Sequence, residues 1–174
     1  MGKLASWRWL VIPLLVWMTG CQAGGQKMSQ VVASGGVKPI ASDKARIYVF
    51  RQAAEYGSLY APITYIDDRK YYVIRQAGVY IHDVVADRDI VFLAKGGGGI
   101  ITTGTYRLNL KPGEERFFEA TYTTIETLSP GTKALSTILS GDSGTKRSFH
   151  VSEVNPAEAR EKMKDLSLAQ AGTE

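Results

Sequence analysis

The chain has one cysteine, two histidines and no tryptophan after position 17. Each scarcity excludes something. A single thiol, Cys21, rules out an intramolecular disulfide, so the domain is held by packing rather than by the covalent staples common in small exported domains. Two histidines, His82 and His150, with no motif at either, leave little for a metal centre, which needs clustered His, Cys, Asp or Glu. No apolar run reaches the ~20 residues of a spanning helix; residues 9–18 come nearest, and Pro13 interrupts them. Net charge is small. Of 21 basic residues, Lys3 and Arg8 lie near the amino terminus, so the remainder carries 21 − 2 = 19 basic against 17 acidic residues. They form no basic stripe, which argues against a nucleic-acid partner.

What is present begins with an address. Lys3 and Arg8 precede the short apolar run Trp9–Met18, the pattern of a secretory leader over residues 1–20. The run ends in Met18-Thr19-Gly20-Cys21, which looks like the lipobox of bacterial lipoproteins. The chemistry needs each part. The Cys21 thiol takes a diacylglyceryl group, the small Thr19 and Gly20 admit the protease, and the freed amine takes a further acyl chain. Two or more chains anchor firmly where one binds marginally. Gln22, in place of aspartate, resembles the outer-membrane class of such lipoproteins. The expected location is therefore the periplasmic face of the outer membrane, and the expected cofactor set is none beyond that lipid.

Residues 21–44 carry Gly24-Gly25, Gly35-Gly36 and several serines with no period of 2 or 3.6. This composition predicts a flexible linker spanning roughly 27 Å. Folded structure is expected over 45–172. Strand-like runs follow at 45–51, 62–66, 71–75, 79–85, 90–94, 105–110, 117–123 and 147–151. Asp67-Asp68-Arg69-Lys70 and Lys111-Pro112-Gly113-Glu114 read as turns, the second closing a hairpin that pairs Phe118, Ala120 and Tyr122 with Tyr106, Leu108 and Leu110. Short strands between turn signals predict a mainly β, antiparallel β-sandwich, immunoglobulin-like or transthyretin-like. One C-terminal α-helix is expected over 156–171. Asn155 is its N-cap, Pro156 its first residue, and Ala159, Met163 and Leu166 its core-facing stripe.

Over residues 45–170 the chain resembles a bacterial family common in short lipoproteins, the unknown-function 2846 family. The likeness rests on Ala45-Arg46-Ile47-Tyr48-Val49-Phe50-Arg51, Ile63-Thr64-Tyr65-Ile66-Asp67-Asp68, Val79-Tyr80-Ile81, and Leu108-Asn109-Leu110-Lys111-Pro112-Gly113-Glu114 leading to Phe117-Phe118. Where that family often places Pro-Gly after its aromatic strand, this chain has Val85-Ala86-Asp87-Arg88. The resemblance implies a β-sandwich on a lipid tether and carries no catalytic residues.

Few residues suggest chemistry. Ser140-Gly141-Asp142-Ser143-Gly144 reads as a hairpin loop. Asp67-Asp68 and Glu114-Glu115 sit in turns beside Arg or Lys, as solvated charges. Gly96–Gly99 lacks the lysine and following helix of a phosphate loop and reads as a mobile loop. Tyr56, Tyr60, Tyr65, Tyr71 and Tyr72 form the one suggestive cluster, either sheet packing or an exposed surface for a partner. The expected function is a non-enzymatic, membrane-anchored binding or structural module of the cell envelope with an envelope protein as partner. The alternatives are a periplasmic hydrolase, with His82 or His150 as base, and a glycan- or peptidoglycan-binding domain using the tyrosines.

Overall fold

The computed structural model describes residues 23–53, 61–95, 101–103, 105–126 and 145–173. In chain order they form α1 (Met28–Ala33), β1 (Lys44–Arg51), β2 (Ile63–Ile66), β3 (Arg69–Val73), β4 (Gly78–Val85), β5 (Asp89–Lys95), β6 (Ile101–Thr103), β7 (Thr105–Asn109), β8 (Glu115–Glu126), β9 (Thr145–Glu153), α2 (Pro156–Met163) and β10 (Ser167–Thr173). The strands make a six-stranded sheet ordered β10-β4-β1-β8-β9-β6 and a four-stranded sheet ordered β3-β2-β5-β7. The protein is mainly β, a two-sheet sandwich with few helices.

Two clusters hold it together. Between the sheets lie Ile47, Val49, Tyr80, Val84, Phe118 and Val151 from the larger sheet, against Ile66, Tyr72, Ile90, Phe92 and Leu108 from the smaller. Phe118 is the hub, its ring 4.7 Å from Phe92 and 4.9 Å from Tyr106. Alternation puts Tyr48 and Phe50 on the other face of β1. There they join Phe117, Val79 and Ile81 under Ala159, Met163 and Leu166 and under Met28 of α1. The Ala159/Met163/Leu166 stripe is thus a core contact, and α2 starts as expected, with Asn155 Oδ1 accepting from the Ala157 N–H at 2.9 Å.

Four expectations need correction. The pairing is mixed: β1–β8, β4–β10 and β6–β9 are parallel, because each pair is joined by a long excursion that lets the second strand return in the same direction. The Lys111–Glu114 turn, with Gly113 at φ 77°, is a corner between sheets and not a hairpin. β7 pairs with β5, β8 with β1 and β9, and their inward residues meet face to face across the core.

The C-terminal helix stops at Met163 rather than near 171. Ser167–Thr173 instead takes the open edge of β4, whose backbone ladder overrides the intrinsic helix preference of Ala and Leu. Finally, residues 23–44 are not a free linker. Met28 and Val31 are buried. Backbone bonds fasten the segment to β10 and to the residues leading into β4 and β10: Ala23 N to Gln76 O at 2.9 Å, Leu168 N to Gln26 O at 2.8 Å, and Met28 N to Leu166 O at 2.8 Å. Gly25 sits at φ 153°, where a Cβ would lie 2.2 Å from the Leu168 carbonyl oxygen. Gly25, one of the glycines that suggested flexibility, therefore permits a close backbone approach.

Candidate functional site

Among the described residues, two surface clefts bear on function. The first, about 390 Å³, opens over the outer face of β1 and β8. Strand alternation brings Arg46, Tyr48, Glu115 and Phe117 to its floor. One wall is mostly apolar, from Met28 and Val32 of α1 with Val37, Pro39 and Ile40 and the exposed Lys38 between them, and the other is Arg160 and Met163 of α2. The floor is a connected ionic network. Arg46 grips Asp83 of the neighbouring strand with two bonds, Nε to Oδ1 at 2.5 Å and Nη2 to Oδ2 at 2.9 Å. The Tyr48 hydroxyl donates to Glu115 Oε1 at 2.9 Å, and Arg160 Nη2 donates to Glu115 Oε2 at 2.6 Å.

Hydrogen bonding to Asp83 raises the pKa of Arg46 despite burial. Burial is also what raises Tyr48. The Tyr48 and Phe117 rings stack at 4.6 Å, and the Arg160 guanidinium lies 5.0 Å over Phe117. Two arginines and two carboxylates balance one another, and a guanidinium neither gives up nor takes a proton near neutral pH. The unsatisfied part of this cleft is its apolar wall, with Val32 at the rim 62% exposed.

The second cleft, about 410 Å³, lies at the open edge of the sandwich between β3 and β10. Ala23, Lys70, Tyr71, Tyr72, Val73, Arg75, Tyr80 and Ala169 are among its lining residues. A bulge shapes it. Ile63 faces Val73 and Tyr65 faces Lys70, so the single residue Thr64 opposes both Tyr71 and Tyr72. This turns two consecutive tyrosines toward the interior. Tyr72 stacks on Tyr80 at 4.7 Å, and Tyr71 meets the His82 ring at 4.2 Å. Full burial drives the Tyr72 phenol above its ordinary range, and its hydroxyl makes no hydrogen bond. Arg51, also buried, has its guanidinium 4.7 Å over Phe149 and donates to the Ile74 carbonyl at 3.3 Å; desolvation pushes it down to about 10.

The tyrosine cluster is therefore not one patch. Tyr72 is core, Tyr71 is half-buried, and Tyr65 lies half-buried on the opposite face of the smaller sheet with Lys95 Nζ 4.7 Å over its ring. Tyr56 and Tyr60 lie outside the described residues, as do the leader, Cys21, Gln22, Gly96–Gly99 and Ser140–Gly144. His82 is 1% exposed between the sheets, whereas His150 is exposed on β9, separated from β4 by β1 and β8. The two cannot share a metal or a substrate, and among the described residues no group of three or more His, Cys, Asp or Glu could hold one.

The doublets are not all solvated turn charges as expected: Asp67, Asp68 and Glu114 sit in turns, whereas Glu115 opens β8 and is held in the ionic floor of the first cleft. Asp67 and Asp68 make the β2–β3 turn with φ of 48° and 62°. Glu114 bonds Arg116 at 2.7 Å. The ionic network of the first cleft was missed from sequence because its members are spread over β1, β4, β8 and α2. The one available signal was the repeated Arg46-x-Tyr48 and Glu115-x-Phe117 spacing, which puts charged and aromatic residues on one strand face.

Comparison with protein-family models, with curated proteins and with solved structures found no match.

Proposed function

We propose that the chain is an envelope lipoprotein, cut before Cys21 and held by lipid on that residue. On this reading it sits at the periplasmic face of the outer membrane, as a member of the unknown-function 2846 family. Its sandwich is a non-enzymatic binding module, and the cleft between α1 and α2 takes an apolar segment of an envelope protein. One observation carries the binding reading. The charged floor of that cleft is neutralised internally, so the apolar wall of Val32, Val37 and Ile40, above the buried Met28 and Met163, is the surface left to satisfy. Such a wall rimmed by polar groups marks an interaction site.

The test has two arms. Mass analysis of the mature chain finds acyl groups on Cys21, and Cys21→Ser abolishes both lipid and cleavage; an unmodified Cys21 sinks the lipoprotein reading. A photocrosslinking side chain placed at Val32 in the full chain gives a defined adduct in cells, and Ile40→Glu, on the half-buried wall of the same cleft, removes it. No adduct at Val32 in intact membranes sinks the binding reading.

A further inference from the structure

We propose that the edge cleft between β3 and β10 is a membrane-docking face whose occupant is an anionic phospholipid surface, so that the sandwich lies against the bilayer rather than swinging from a tether. This rests on the lipidation of Cys21 proposed above. The first observation is reach. Ala23 is already bonded to Gln76 and lines the cleft. Two residues span at most about 7 Å, so lipid on Cys21 enters the bilayer beside this face.

The second observation is charge. Lys70 and Arg75 line the cleft, and no carboxylate does so among the described residues. The third is composition. Val73 is 39% exposed, and Tyr65 beneath Lys95 stands on the adjoining sheet face. Tyrosine with long basic side chains is the pattern of a water–lipid boundary, where stems lie in the apolar layer and charges reach the headgroups. Gly25 and Gly78 make the attachment stiff, since a Cβ at Gly78 would meet the Ala23 Cβ at 2.9 Å.

Val73 and Val85 offer a matched pair of reporters, 39% and 38% exposed. Val85 closes β4, roughly 23 Å along that strand from Gly78, whose neighbour Ala23 lines the cleft. The full chain carrying V73C or V85C, acylated at Cys21, is added to preformed vesicles and labelled with an impermeant maleimide. In phosphatidylglycerol-containing vesicles V73C reacts roughly 25-fold more slowly than V85C, the factor set by two cations at about five-fold each. In detergent the two react alike.

Lys70→Gln with Arg75→Gln brings the two rates together. Gly25→Val, which unfastens the amino-terminal segment without touching a charge, does the same. Should V73C lower the melting temperature, G24C is the second reporter, since Gly24 lines the same cleft and a Cβ there meets nothing within 4 Å. Equal rates in anionic vesicles for a chain with acyl mass on Cys21 overturn the docking face alone. Protection undiminished in phosphatidylcholine vesicles overturns recognition by charge. A chain lacking acyl mass on Cys21 overturns the lipoprotein reading instead.

Discussion

The cleft over the outer face of β1 and β8 and the cleft at the β3–β10 edge have nearly equal volumes, about 390 and 410 Å³, and opposite charge logic. In the first, Arg46 and Arg160 are answered by Asp83 and Glu115 within bonding distance. In the second, Lys70 and Arg75 face outward with no acid in the lining. A neutralised floor leaves shape and apolar contact to select a partner. An unbalanced rim attracts any anionic surface and does so in a salt-dependent way. The comparison teaches that the two faces answer to different partners even though both are built from Arg, Lys and Tyr.

The strongest way to break that contrast is to unbalance the first cleft. Asp83→Ala leaves Arg46, whose side chain is 5% exposed, without its carboxylate. Removing one partner of a buried pair costs about 3–5 kcal/mol, read as a lowered urea midpoint. The double change Arg46→Met with Asp83→Leu recovers most of it, because a well-packed apolar pair of similar volume avoids the desolvation of both charges. A single variant as stable as wild type would show that the pair is solvated and the floor is not a closed network.

The edge cleft predicts a change of opposite sign. The Tyr72 hydroxyl is buried without a hydrogen bond, so Tyr72→Phe removes an uncompensated polar group. Stability is then unchanged or rises by about 1 kcal/mol. A loss of that size or more in the same denaturation experiment would mean the hydroxyl is satisfied and the edge interior is polar by design.

Asn155→Ala loosens only α2, a wall of the first cleft. Losing the cap bond to the Ala157 N–H costs about 1 kcal/mol. Partner crosslinking at Val32 weakens while V73C protection at the edge stays put. If both shift together, the two faces are coupled through the sheet.

These contrasts were legible in the sequence to different depths. Strand positions were clear wherever alternation ran long, as in β1, β4 and β8, and so was the Asn155-Pro156 helix start. Local chemistry decides those features. Partner choice between strands is not local. Nothing in Lys111–Glu114 distinguishes a hairpin from a corner, since both need the same turn residues. Ala and Leu at 168–171 favour helix in isolation, and only the open edge of β4 makes them a strand. Glycines at 24–25 and 35–36 signal freedom and close approach equally well. The ionic floor needed four elements in place before it existed. Tyr71 and Tyr72 needed a bulge to face inward together.

The smallest expected effect tests whether a surface charge pair outside both clefts matters at all. Asp67 accepts from the Val91 N–H at 2.8 Å and pairs with Arg88. Burial pushes its carboxyl up, but the Val91 hydrogen bond and Arg88 together outweigh it and hold the pKa below the ordinary value. A depressed folded pKa contributes stability that is fully present above the unfolded value near ~3.9. That contribution is lost as pH falls through the folded value. Asp67→Asn therefore costs stability at neutral pH, and the wild-type and variant curves converge in strong acid. Side chains about a third exposed keep the difference under about 1 kcal/mol. Curves that stay parallel down to the acid limit would mean that the turn is held by its backbone alone and that the charge on Asp67 adds nothing to it.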